Sequence, residues 1–566
     1  MFLPPFEAAV KLAHAASIMA SYNEIDGIPS HVNRALLQDI VRKEWGFNGV
    51  IVSDYFAIEE LNSRHSLYDT EAAAAKAALL AGVDMETPDP KTFPHLTALV
   101  QSGQLDESAI DTAVRRVLAL KFRLGLFDNP YVDASKANAL VGAAKDRDFA
   151  RRVAEKSMVL LKNNGILPLN AAKISKLAVI GPHADEVLLG GYSSIPRQTV
   201  SIYQGLKQKL QGKAQVQFAR GTVLTKALTA TKAQEQNQAF ITSDIRQRSQ
   251  AAGTFSMQRW NYDPIALATD NDRKGLLDEA VALAKTADAV VLVLGENEGL
   301  SREAWAESHL GDRTSLELVG NQLQLAQAVL ATGKPVVLLL TNGRPLALGE
   351  LAETAPAIIE AWYLGQETGA AVANVLFGDV NPSGKLPLTF PRSAGHIPSY
   401  YNHKASAKRG YLFDDMSPLY PFGHGLSYTS FTYSDLQIDA SDARANGEVQ
   451  ISLTVQNNGQ RQGTEVVQLY INDPLASVTR PVQQLTGFKR VPLQPGEQAT
   501  LRFTVPVNLL AFFDQHMRWV VEPGEIRLML GSSSADIRLK GSFVIKGEVT
   551  EVANNKAYLS QAVISN

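Results

Sequence analysis

Two carboxylate-bearing segments hold the residues best suited to chemistry. Asp54 closes the apolar run GVIVSD at 49–54. Such a run predicts a buried strand, and its C-terminal mouth is where parallel α/β folds present their active groups. A carboxylate there can attack a sugar carbon or stabilise developing positive charge. It can equally act as the N-cap of a short helix starting at Tyr55. The second segment, GENEGLSREAWAESHLGDR at 295–313, follows the strand-like run VVLVL. It contains Glu296, Glu298, Glu303 and Glu307. A carboxylic acid here serves as a general acid if burial raises its pKa. For any single one of them, spacing favours a solvated loop with charged helix starts. Two carboxylates from two domains, flanking a cleft, are what cleavage of a glycosidic bond needs.

The elements that must position these groups fall into three regions. Residues 1–128 alternate strands (17–22, 49–52, 82–85) with helices (31–43, 71–81, 91–101, 106–122), which implies a parallel sheet covered by helices. Three strands make only the C-terminal portion of a (β/α)8-type barrel, or a small open sheet. Residues 129–146, with Asn129-Pro130, read as a linker. Residues 147–395 read as a doubly wound α/β sandwich, with strands at 177–180, 216–219, 289–294, 336–340 and 358–361 and helices at 149–162, 274–285 and 320–331. Residues 225–272 are polar and read as an insertion. A linker loop rich in Gly, Pro, Ser and Tyr spans 396–430. Beyond it the period changes to two at 449–455, 465–471, 499–505 and 525–530, which predicts a β-sandwich over 431–547. The tail, 548–566, is expected to be loosely held. The fold class is thus multidomain α/β plus β.

Composition removes several functions. The chain has 566 residues with 54 Lys and Arg against 57 Asp and Glu, a formal net charge of −3, and no basic excess for nucleic acid. There are no cysteines, which excludes disulfides, thiolate catalysis and zinc–thiolate sites. No apolar run approaches the roughly 20 residues of a membrane-spanning helix. The N-terminal stretch lacks a basic start, and Pro4, Pro5 and Glu7 interrupt any hydrophobic core, so no signal peptide is expected and the chain as written reads as cytoplasmic.

Several stretches, in order, resemble family 3 glycoside hydrolases. GFNGVIVSDY (46–55) is similar to the family's nucleophile segment, and SIMASYNEIDGIPSHVNRALLQDIVRKEWGF (17–47) to the strand and helix before it. AWYLGQETGAAVANVLFGDVNPSGKLPLTFP (361–391) resembles the second domain. LYPFGHGLSYTSFTY (419–433) and VTRPVQQLTGFKRVPLQPGE (478–497) resemble the approach to, and body of, a fibronectin type III-like sandwich. The resemblance spans about residues 15–547 and looks closest to periplasmic bacterial β-glucosidases.

The resemblance implies a retaining, exo-acting β-glucosidase with Asp54 as nucleophile and Glu303 as acid/base. Glu307 competes for the second role, because Arg302 stands where many members have Gly. Met19 and Tyr22 match side chains lining the sugar pocket. Tyr55 stands where many members have Trp and offers a smaller stacking face. The resemblance implies no metal or cofactor, a β-glucoside or oligosaccharide substrate, and a periplasmic or secreted setting for the intact relative. β-Xylosidase and exo-β-glucanase activities belong to the same family. Members carry a long barrel segment before the SIMASYN strand, supplying an aspartate for sugar hydroxyls, an arginine and a Lys-His pair. This chain is expected to lack it and to be impaired alone, or to be completed by a homodimer or a complementing N-terminal segment. The rival expectation is a non-catalytic, carbohydrate-binding remnant. An N-acetylglucosaminidase of the family is disfavoured by the sandwich.

Overall fold

The computed structural model describes residues 2–190, 193, 196–227, 265–301, 313–407, 410–553 and 555–565. The chain divides into two compact units, Met1–Asn138 and Ala139–Asn566.

In the first unit, strands β1 (Ser17–Met19), β2 (Val50–Tyr55) and β3 (Met85–Thr87) form one parallel sheet in the order β1-β2-β3. The alternation of strands and helices forces parallel crossovers. Ile51 of β2 packs among Leu37, Val41, Trp45, Ala74 and Ala78 from two of the covering helices. One of these, Ala35–Glu44, starts later than the apolar spacing predicts, because the Asn33 side chain accepts the Leu36 N–H at 3.0 Å and sets the first turn there. The other, Glu71–Ala81, is where its pattern places it: Thr70 caps its start and Gly82, at φ +119°, ends it. The third strand begins at Met85 rather than 82, since that left-handed Gly82 still belongs to the helix end. The expected helix 91–101 splits into a turn at Phe93–His95 and a helix at Leu96–Gln101, with Glu86 accepting the N–H groups of Thr92 and Phe93 at the turn.

A buried ion triad fixes β2. Asp84 accepts from Arg42 at 2.6 Å, from Arg116 at 2.7 Å and from the Ile51 N–H at 2.9 Å. Arg42 also donates to the Gly49 carbonyl at 2.5 Å. A buried carboxylate is tolerated only with such charge-assisted partners, and removing one side strands the others.

The second unit holds a six-stranded sheet built from β4 (Val159–Asn163), β5 (Lys176–Ile180), β6 (Gln215–Ala219), β7 (Ala289–Gly295), β8 (Val336–Thr341) and β9 (Ala357–Glu360). The order is β4-β9-β8-β7-β5-β6, with β4 antiparallel and the rest parallel. All residues of β7 are buried, as a central strand covered on both faces requires. The pattern at 149–162 reads as helix, but the helix Ala144–Ser157 stops and β4 follows. The reason is full burial: Met158, Val159, Leu160 and Leu161 are enclosed by both core layers, which a one-sided helix could not provide. Helices Ile202–Lys209 and Thr368–Leu376 cross at Gly205 and Gly369, where a Cβ on Gly205 would lie 2.1 Å from the Gly369 carbonyl carbon.

The stretch 129–146, read as a linker, contains the helix Ala134–Leu140 and the start of Ala144–Ser157, and the division between the two units falls within it. Most of the expected insertion, 228–264, lies outside the described residues; its flanks pair as a short hairpin of Thr225–Ala227 with Ile265–Leu267. The irregular stretch 396–430 is packed rather than free, with His424 Nε2 at 2.9 Å from the Leu161 carbonyl and the Tyr428 hydroxyl donating to the Val375 carbonyl at 3.0 Å.

The period-two region forms two facing antiparallel sheets. Strands β10 (Phe431–Asp439), β11 (Glu448–Asn457), β14 (Gln498–Pro506) and β17 (Gln561–Ser565) make one, in that order. The other runs β13 (Gln484–Leu493), β12 (Gly463–Asn472), β15 (Gly524–Gly531), β16 (Ile537–Ile545). Alternate residues such as Val449, Ile451, Leu453 and Val455 face the shared core. The tail is not loose: β17 pairs with β14, and Thr550–Glu551 pairs with Trp519–Val521. Its inward Ala562 and Ile564 pack on the sandwich core, which outweighs its polar average.

Replacing Asp84 by Ala should lower the stability of the first unit by about 3–5 kcal/mol, read as a lower thermal midpoint, because two arginines lose their buried counterion. A change within about 0.5 kcal/mol would show that the triad does not hold β2.

Candidate active site

Asp54 sits on β2 one residue before the strand's end. Its carboxylate accepts the Tyr55 N–H at 2.8 Å. It is not a helix cap: the strand continues through Tyr55, and the next helix starts at Ala57 after Phe56 turns at φ +61°. The Phe56 N–H donates to the Thr87 carbonyl at 3.0 Å, so the chain leaves the sheet at a fixed angle beyond the carboxylate. Ser53 and Thr87 brace β2 against β3, with Thr87 N–H donating to Ser53 Oγ at 2.8 Å and Thr87 Oγ1 donating to the Ser53 carbonyl at 2.6 Å.

His31 holds Asp54 from the other side. The Asp54 N–H donates to His31 Nε2 at 3.0 Å, which requires that nitrogen to be bare. Burial, reinforced by nearby His65 and opposed by a hydrogen bond to the Ser21 backbone, pushes His31 down to about 4. The imidazole is therefore a neutral acceptor rather than a charge beside the carboxylate. Sequence pattern offered no signal for this role; His31 read only as the first residue of a helix.

Three further residues singled out from sequence gather at the same sheet end. Met19 closes β1 opposite Val52 and is 56% exposed, so it is a surface side chain rather than a core one. Tyr22, 41% exposed, donates its hydroxyl proton to the Tyr55 carbonyl at 2.6 Å. Tyr55 follows Asp54 directly. Asp54, Met19, Tyr22 and Tyr55 thus form one rim at the C-terminal end of the first unit's sheet. Glu303 and Glu307 lie outside the described residues.

The other two glutamates of the second segment can be placed. Glu296 is fully buried just beyond β7, where Arg313 donates to Oε1 and Arg344 Nε to Oε2 at 3.3 Å. Its two carboxylate oxygens are thus each taken by a guanidinium group. Glu298 opens the short helix Glu298–Ser301, and its Oε2 is buried with no hydrogen-bond donor among the described residues. Sequence reasoning missed Glu360 at the end of β9. Burial pushes it up to about 8, while hydrogen bonds from the Trp362 N–H at 2.8 Å and Asn342 Nδ2 at 3.1 Å work against the rise. Among the described residues no cluster of three or more His, Asp or Glu is arranged to hold a metal ion.

A strand-end carboxylate on a βα unit, followed in the chain by a doubly wound domain and a fibronectin-like sandwich, is the layout of a multidomain glycoside hydrolase. Comparison with known proteins bears on this directly. Residues 1–120 match the N-terminal domain of glycosyl hydrolase family 3, residues 158–428 its C-terminal domain, and residues 465–534 a fibronectin type III-like domain. A β-xylosidase of Formosa agariphila is 39% identical over 95% of this chain and 70% of its own length. A periplasmic β-glucosidase of Salmonella typhimurium is 38% identical over 96% of this chain and 69% of its own. The solved structure of a β-glucosidase from Erythrobacter marinus superposes with a TM-score of 0.87 at 40% identity, covering 96% of this chain and 69% of that one. The chain belongs to glycosyl hydrolase family 3.

The His31 contact has a pH signature. An unfolded histidine titrates near 6.5, so between 6.5 and about 4 the unfolded chain binds a proton that folded His31 refuses. The stability tied to this residue is complete above pH 6.5, declines as the pH falls toward 4, and levels off below, a span of about 3 kcal/mol. His31→Gln, whose amide oxygen can accept the Asp54 N–H, should flatten the thermal midpoint against pH in that window. An unchanged slope in calorimetry would assign the acid sensitivity to other groups.

Proposed function

We propose that this glycoside hydrolase is a retaining, exo-acting β-glucosidase that releases terminal non-reducing β-D-glucosyl residues. The observation that carries the reading is the Asp54 carboxylate on the rim with Met19, Tyr22 and Tyr55, in a chain of family 3. In the first step an Asp54 oxygen bonds to the anomeric carbon as the glycosidic C–O bond breaks, and Glu303 gives its proton to the leaving oxygen. In the second, Glu303 takes a proton from water, the water oxygen bonds to the anomeric carbon, and the Asp54 ester bond breaks. Tyr55 lends a ring face to the sugar, and Met19 and Tyr22 line its approach. The first step needs Asp54 ionised and Glu303 protonated, and the second regenerates that state, which sets an acidic to near-neutral optimum.

A β-xylosidase reading is favoured by the Formosa relative's name and similarity. A periplasmic or secreted setting goes with the proposal, supported by the name of the Salmonella relative. The reading also includes completion of the first unit by a second polypeptide or a second copy. The two edges of its sheet, β1 and β3, and the exposed Val114, Leu118 and Phe122 of the helix Glu107–Arg123 support that part.

The test is hydrolysis of p-nitrophenyl β-D-glucoside and the matching β-D-xyloside. Asp54→Asn should lower kcat/KM by about a thousandfold or more, roughly 4 kcal/mol of transition-state stabilisation. The first-formed sugar, read by NMR, should be the β-anomer. Faster turnover of the xyloside would favour the second reading, and an initial α-anomer would reject retention. Activity that appears only when an upstream barrel segment is added would support completion by a partner.

A further inference from the structure

A cavity of about 360 Å³ lies inside the second unit, between the residues that follow the helix Thr368–Leu376 and the β-sandwich. Lys385, His424, Phe431, Glu465, Asp536 and Arg538 are among the residues that line it. Glu465, on β12, is buried, and its Oε1 accepts the Val466 N–H at 2.7 Å. Its two cations stand further off. Lys385 Nζ is 3.5 Å from Oε1, and Arg538 Nη1 is 3.6 Å from Oε2. Both distances exceed those of a good hydrogen bond, so the carboxylate can still take a donor. The cations are themselves engaged elsewhere. Lys385 donates to the Gly425 carbonyl at 2.8 Å, and Arg538 to the Phe431 carbonyl and to Asp536 Oδ2, each at 2.9 Å. An ammonium carries three donors, so one carbonyl does not exhaust Lys385. His424 gives its Nε2 proton to the Leu161 carbonyl, and burial pushes its pKa down. The ring is therefore neutral, with Nδ1 as an acceptor.

This inventory selects the chemistry of a ligand. Two cations, two carboxylates and a neutral imidazole carry no net charge. An anion would meet Glu465 and Asp536, and a cation would meet Lys385 and Arg538. A hydroxyl group suits both signs at once, because it can accept from Lys385 while donating to Glu465. Phe431 adds an apolar wall for the C–H face of a ring. The volume equals that of about twelve waters and is of the size that small-molecule sites occupy.

We propose that this cavity binds a neutral monosaccharide, whose hydroxyl groups bridge Lys385 and Glu465. The site lies wholly in the second unit and makes no use of Asp54. D-glucose and D-xylose, added separately to the full chain, are the probes, with sodium sulfate as the anionic control. Hydrogen exchange in peptides spanning 383–386, 423–431 and 463–468 should slow saturably with at least one sugar and not with sulfate. Glu465→Gln keeps the shape but removes the charge, and should raise the sugar concentration needed for that protection by about tenfold or more. Because it deprives Lys385 of its carboxylate and can impair folding, the double variant Lys385→Gln with Glu465→Gln is the second test. It removes both charges together, and should show the same loss at a near-native thermal midpoint. Equal protection in the native chain and both variants would put the sugar elsewhere and overturn the proposal. Protection by sulfate alone would assign the cavity to an anion, and no protection by either sugar would assign it to water. Either result overturns the proposal as well.

Discussion

A carboxylate that must be buried at the end of a parallel strand has to find its counter-charges inside the protein. Both units answer this constraint in the same way. In the first, Asp84 stands beside β2 and β3 and takes Arg42, Arg116 and the Ile51 N–H. In the second, Glu296 stands beyond β7 and takes Arg313 and Arg344. In each case guanidinium groups from distant positions converge on one acid, so segments far apart in sequence are held at a common point. Asp84 thereby fixes the starts of β2 and β3, and Glu296 the end of β7.

This division of labour explains why acids of one type behave differently. Asp54 lies partly open to solvent, with the Tyr55 N–H on its carboxylate. Glu296 is closed in with a guanidinium group on each oxygen. Glu360 is closed in without a cation and is driven toward its protonated form. Burial alone does not choose among these roles; the partner does.

Much of the scaffold was legible in the sequence because the burial pattern there is simple. GVIVSD reads as a strand with an acid at its mouth, and the run AVVLVL reads as a central strand covered on both faces. The sandwich strands announce themselves by alternation. What could not be read depends on partners remote in sequence. His31 supports Asp54 through one ring nitrogen, and only the fold brings the two together. Glu296 was one of four glutamates in a charged stretch until Arg313 and Arg344 distinguished it. Strand β4 was hidden because an apolar run directly after a helix carries no period to mark the change. The polar tail concealed β17, since three of its five positions face solvent and only Ala562 and Ile564 turn inward.

That last strand bears on how the molecule is made. Strand β14 pairs on one side with β11, already synthesised when β14 appears, and on the other with β17, whose Ser565 lies opposite Thr500. While the intervening residues leave the ribosome, the outer side of β14 presents a row of unpaired N–H and C=O groups able to recruit any passing strand. The sandwich therefore completes this sheet only once β17, about sixty residues further along the chain, has been made. Until then a nascent neighbour on the same messenger is the nearest competitor for that edge.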